Sequence, residues 1–127
     1  YDTGRILTED QQNLNWQVVY EVWDGLDRFI ADVKQKTKAD KVNIIAHSLG
    51  TIVSQLYLES LPVRAANVDR YINIDGMPYD RLPGGVPTLA IWAEIGRGGQ
   101  VIGGTNVTIP NQTHVEVATS AESFVEM

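Results

Sequence analysis

Apolar residues recur along this chain in two alternating rhythms. Within residues 12–37, Val19, Val22, Trp23, Leu26, Phe29, Ile30 and Val33 fall at helical spacing and form one stripe. Thr8-Glu9-Asp10-Gln11 ahead of it has the form of a capping box, a hydroxyl followed three residues later by Gln. Lys34, Lys36 and Lys38 cluster where the negative end of that helix should lie. The pattern predicts an amphipathic helix over roughly 12–37 on one face of a sheet, with Trp16 and Trp23 in the core or at its edge. Val42 to Ala46 is a short continuous apolar run, as expected of a buried parallel strand. A second helical stripe, Ile52, Val53, Leu56 and Tyr57, runs to about Leu58 or Ser60 and is closed by Pro62. Val68 to Ile74 predicts the next strand, Val86 to Trp92 a third after the turn at Pro83-Gly84-Gly85, and Val107 to Ile109 a fourth. Ser120 to Met127 predicts a short terminal helix. The stretch Gly96 to Gly104 contains five glycines without a period and reads as a loop. Strands alternating with helices predict an α/β fold, a mainly parallel sheet flanked by helices, in a single domain over 1–127.

The junction Ala46-His47-Ser48-Leu49-Gly50 carries the chemistry. An apolar run ends abruptly in small residues around one serine, and a helical pattern starts at once. This is the layout of a nucleophile elbow, in which a strained strand-to-helix turn lifts the serine hydroxyl clear of the sheet. The next backbone N–H, that of Leu49, then points at a developing oxyanion, helped by the helix dipole. Such a turn is crowded, so Ala46 and Gly50 are expected to be small for steric reasons. In an open parallel sheet, active groups gather at the carboxyl ends of strands. Ser48, Asp75, Glu94 and His114 each follow a predicted strand and should converge on one edge. A serine hydroxyl becomes a useful nucleophile when an imidazole takes its proton, and a carboxylate fixes the tautomer of that imidazole. His114, in the polar loop Asn111-Gln112-Thr113-His114, is the expected base. His47 is the other histidine. It neighbours the serine, but successive residues in a sharp turn point apart, which places it at the pocket edge as a substrate contact.

The elbow resembles that of α/β-hydrolases, in particular small bacterial lipases and esterases with alanine in the first elbow position. Gly104-Thr105-Asn106-Val107-Thr108-Ile109, followed by Pro110-Asn111-Gln112-Thr113-His114-Val115, resembles their last strand and histidine loop. The order serine, acid, histidine is also theirs. The resemblance implies a Ser-His-acid triad with an acyl-enzyme intermediate, acting on a small-molecule ester or lipid without a cofactor. For the acid, Ala93-Glu94 resembles the Ala-Asp pair of small lipases and makes Glu94 the first choice. Asp75 is the alternative, and Asp80 is more readily a surface partner of Arg81 or Arg70. Met77 and Ile95, with Pro78, Tyr79 and Leu82, are candidates for an acyl site or for ordinary loop packing. In the family, strands ahead of the nucleophile strand supply a second oxyanion donor, whereas about forty residues precede it here and read mainly as helix. The chain thus reads as a minimal or truncated hydrolase fold, with Thr3 or Gly4 as substitutes for that donor.

Composition narrows the alternatives. The chain has 127 residues, 43% hydrophobic and 20% charged, ordinary values for a globular domain with a modest core. A net charge of −6 argues against a nucleic-acid partner or an anionic membrane held by charge. Without cysteine there is no disulfide framework, no thiolate nucleophile and no Cys-ligated metal site. No His/Asp/Glu spacing resembles a metal site, and the glycine loop lacks a P-loop lysine. No apolar run has the length of a membrane span, and the start lacks a basic-then-apolar leader. The tyrosine at position 1 reads as a processed end or a fragment. Composition assigns no compartment, while the resemblance leans towards secretion. A second reading is non-catalytic. A sheet begun at the nucleophile strand leaves an open edge that invites self-association or a partner strand, so the chain could be a hydrolase-derived binding or assembly module.

Overall fold

A computed structural model of the chain describes residues 15–96 and 98–127. Residues from Lys41 onward form one compact unit and those before it another. In the earlier unit, α1 spans Trp16–Thr37. Its cap is Asn15, whose side chain accepts the Val18 N–H at 3.4 Å, satisfying one of the donors a helix start leaves open. The predicted capping box at Thr8–Gln11 lies outside the described residues. Val18, Val19, Trp23 and Ile30 are buried, whereas Phe29 of the predicted stripe is exposed. Trp23 meets Trp16 edge to face with ring centroids 6.3 Å apart, and Trp16 is half exposed.

From Lys41 the chain builds a four-stranded sheet in the order β1-β2-β3-β4, parallel throughout. The strands are β1 (Val42–His47), β2 (Val68–Ile74), β3 (Thr88–Ile95) and β4 (Thr105–Thr113). Helix α2 (Leu49–Ser60) follows β1, and Pro62 closes it as expected while also opening a short α3 (Pro62–Ala66). Proline suits that first helical position because its missing N–H would have no intrahelical partner there. Helices α4 (Glu116–Thr119) and α5 (Ala121–Glu126) end the chain. The class is therefore α/β, a parallel sheet flanked by helices.

Register sorts the core into two layers. Ile72 and Ile74 of β2, Ile91 and Ala93 of β3 and Ile109 of β4 pack with Val117 of α4 on one face. On the other face, Tyr71 and Asn73 meet Gln55 of α2, and Ala90 and Trp92 pack with Val101. Helices thus cover both faces. The Tyr71 phenol is driven far above its ordinary pKa by burial, so it stays neutral and donates its proton to Gln55 Oε1.

Two strand limits differ from those expected. Val86 is taken up by the turn, its N–H bonded to Pro83 O at 3.0 Å, so β3 starts at Thr88 and runs on through Glu94 to Ile95. β4 likewise extends through Pro110, Asn111 and Gln112, with Thr113 in register with Ile95 across a bulge in β4. The residues expected as the histidine loop are therefore mostly strand. β1 also differs from a fully buried strand. Among the described residues it pairs with β2 alone, and Ile45 is 59% exposed.

Burial sets a stability contrast between two isoleucines. Ile91, fully buried in a central strand, should cost about 2–5 kcal/mol when cut to alanine. Ile45→Ala at the exposed edge should stay within about 1 kcal/mol. Urea unfolding of the two variants beside the parent checks both values.

Candidate active site at the carboxyl edge of the sheet

Ser48 lies between the last residue of β1 and the first of α2, with φ 55° and ψ −125°. A serine is strained there by about 1–3 kcal/mol. Its N–H bonds to Ile74 O at 3.3 Å, which anchors the turn to β2. The conformation points the hydroxyl away from the sheet and leaves the Leu49 N–H at the open first turn of α2. The crowding expected at Gly50 is not found. A Cβ there would meet nothing within 4 Å among the described residues. The steric demand falls instead on Gly76, where a Cβ would lie 2.1 Å from the Thr51 methyl carbon.

Asp75 leaves β2 in a second strained turn, with φ 44°. Its N–H bonds to Ile91 O at 2.7 Å, and its Oδ1 accepts the Ala93 N–H at 3.1 Å. These contacts to β3 aim the other carboxylate oxygen, Oδ2, at His114 Nδ1, 2.6 Å away. On the far side of that ring, His114 Nε2 lies 2.8 Å from Ser48 Oγ. The carboxylate can only accept, so Nδ1 carries the proton and Nε2 is free to accept from the serine hydroxyl. Asp75 is buried and His114 half exposed, so one end of the chain of bonds is held in the protein and the other faces solvent. A hydroxyl so placed can pass its proton to the imidazole as the oxygen attacks, and the carboxylate stabilises the resulting cation.

Glu94, the first choice for the acid, is not the carboxylate against His114; Asp75 is. Because β3 continues through Glu94, that side chain stands within the strand, exposed, and its Oε2 accepts the Asn111 N–H at 2.7 Å. Asn111 has φ 61°, so Glu94 secures an irregular point of β4 just before His114. Asp80 pairs with Arg81 at 2.8 Å on the surface. His47 does not face the serine proton. Its Nε2–H donates to the His114 carbonyl at 2.9 Å, and the two rings lie 4.5 Å apart, so it braces the backbone that carries His114. Met77, in the loop three residues past β2, and Ile95, the last residue of β3, are 42% and 56% exposed. Thr3 and Gly4 lie outside the described residues. Among the described residues no group of His, Asp and Glu is placed to hold a metal ion. A groove of about 550 Å³ beside β4 is lined by residues such as Asn111, Glu116 and Glu122 and does not include Ser48.

Two features here escaped sequence reading. Thr113 and Glu116 cap each other across the start of α4, Thr113 N–H to Glu116 Oε2 at 3.0 Å and Glu116 N–H to Thr113 Oγ1 at 3.4 Å. The Thr-x-x-Glu spacing around His114 is a legible signal for this. The buried polar pair Thr51 and Asn73 behind the Asp75 turn carries no such signal, because each reads as an ordinary polar position in an apolar element.

No protein-family model matches the chain, and no curated protein matches it. What the cluster can do rests on its own geometry.

That geometry makes a prediction independent of turnover. The His114 Nδ1–H should give a far-downfield proton resonance in solution. Asp75→Asn should abolish it, and Glu94→Gln should leave it in place. A spectrum in which Glu94→Gln removes the signal and Asp75→Asn does not would reverse the assignment.

Proposed function

We propose that the chain is a serine hydrolase of carboxylic esters. The observation that carries this reading is the unbroken series Ser48 Oγ, His114 Nε2, His114 Nδ1, Asp75 Oδ2, with contacts of 2.8 and 2.6 Å, on a serine held in a strained strand-to-helix turn. Ser48 attacks the acyl carbonyl while His114 takes its proton. The Leu49 N–H receives the oxyanion, Asp75 stabilises the imidazolium, and His114 returns the proton to the departing alcohol. Water activated by the same imidazole then frees the acid from the acyl-enzyme. Met77, two residues past Asp75, and Ile95, next to Glu94, are exposed apolar side chains and suit an acyl group. Lipase, esterase, thioesterase and acyltransferase chemistry share this machinery and differ in leaving group or acceptor.

A second reading rests on a different observation. Among the described residues β1 is open along one side and a Cβ at Gly50 would meet nothing within 4 Å, as expected if another segment packs there. On this reading the unit is a binding or assembly module. It also bears on rate, because losing one oxyanion donor typically costs about a hundred- to a thousandfold.

Turnover of a short-chain nitrophenyl ester by the purified chain decides between the two. On the hydrolase reading, Ser48→Ala and His114→Ala should each remove activity to background, and Asp75→Asn should lower kcat by about 10⁴-fold, since it favours the wrong tautomer. Glu94→Gln should lower it by less than about tenfold. A folded parent no faster than Ser48→Ala would sink the hydrolase reading in favour of the module.

A further inference from the structure

Ser48 and Asp75 both occupy positive-φ backbone, on turns that leave adjacent strands. One buried hydroxyl lies between these turns. Thr51, fully buried in the first turn of α2, donates its Oγ1–H to Ser48 O at 2.6 Å and accepts the Met77 N–H at 2.8 Å. Its side chain also sets the space beside Gly76, where any Cβ would overlap it. The far side of the Asp75 turn is held by Asn73, likewise fully buried. Asn73 Oδ1 accepts the Gly76 N–H at 3.0 Å, and its Nδ2 donates to Met77 O and to Gln55 Oε1, each at 2.9 Å. Asp75 thus sits on a loop in which Met77 is fastened to the helix that begins at the nucleophile, and Gly76 to Asn73 of β2.

From this we infer that Thr51 is a positioning residue that locks the Ser48 turn to the Asp75 turn, so that His114 meets both at once. A threonine hydroxyl has one proton to give and lone pairs to receive. Here the proton goes to the nucleophile's carbonyl and a lone pair goes to the acid loop, so one side chain links the two. Valine keeps the shape and loses both bonds. It leaves the Met77 N–H without its partner and lets the acid loop drift from the serine. Thr51 is fully buried and presents no surface to a substrate, so the effect falls on kcat and not on KM.

The inference rests on the hydrolase reading for its kinetic arm, and a second arm is independent of it. Thr51→Val should lower kcat by about ten- to a hundredfold, the usual result of ångström-scale misplacement, with KM unchanged. Thr51→Ser, which restores the hydroxyl, should recover most of the rate. In the free protein the downfield His114 Nδ1–H resonance should broaden or shift in Thr51→Val and return in Thr51→Ser. Should the valine variant not fold, Thr51→Ala makes the same comparison without a second buried methyl. A folded hydroxyl-free variant that is merely less heat-stable, with kcat and the resonance both as in the parent, overturns the inference and leaves the hydrolase reading standing. A parent without ester turnover ends the hydrolase reading, while loss of the resonance in Thr51→Val and its return in Thr51→Ser would still establish the lock.

Discussion

A parallel sheet delivers the carboxyl end of every strand to the same edge, and the rest of this molecule depends on that constraint. Ser48 follows β1, Asp75 follows β2 and His114 follows β4, so three residues spread over more than sixty positions meet within hydrogen-bonding distance. Reversing β1, β2 or β4 would carry one of them to the opposite edge. The two apolar layers serve this alignment. Ile72, Ile74, Ile91 and Ile109 keep the strands in register from one face, and the Tyr71–Gln55–Asn73 polar group does so from the other.

Strain collects at the same edge. Ser48 and Asp75 hold positive φ without being glycine, each at a cost of about 1–3 kcal/mol. Neighbouring bonds offset that cost. Ser48 N–H reaches Ile74 O, Asp75 N–H reaches Ile91 O, and the Asp75 carboxylate takes the Ala93 N–H. The turns are fixed before any substrate arrives. That is the condition under which a proposed nucleophile and its base avoid reorganisation during the reaction.

The alternation of helical and strand patterns made the α/β class readable, and the abrupt change from the apolar run to small residues marked Ser48 as a strand-to-helix junction. Strand ends were harder. β3 was expected to stop at Trp92, and that placed Glu94 in a loop facing the histidine. In the structure the backbone groups of β3 and β4 continue pairing to Ile95 and Thr113, which keeps Glu94 in the strand. Nothing local to Ala93-Glu94 reports this pairing, because it depends on residues in a strand more than ten positions away. His47 illustrates the same limit. Adjacent to the serine in sequence, it bonds instead to the carbonyl of His114, 67 positions away.

Local pattern thus determined which stretches become helices and strands, because burial period and turn chemistry act over a few residues. It also determined where a serine and a histidine would emerge from strand ends. The choice between two carboxylates, the bracing of His114 and the hydroxyl shared by two strained turns were decided by the tertiary structure. Each depends on lateral strand order, register and the length of pairing, and those are settled by contacts between segments that no local window contains.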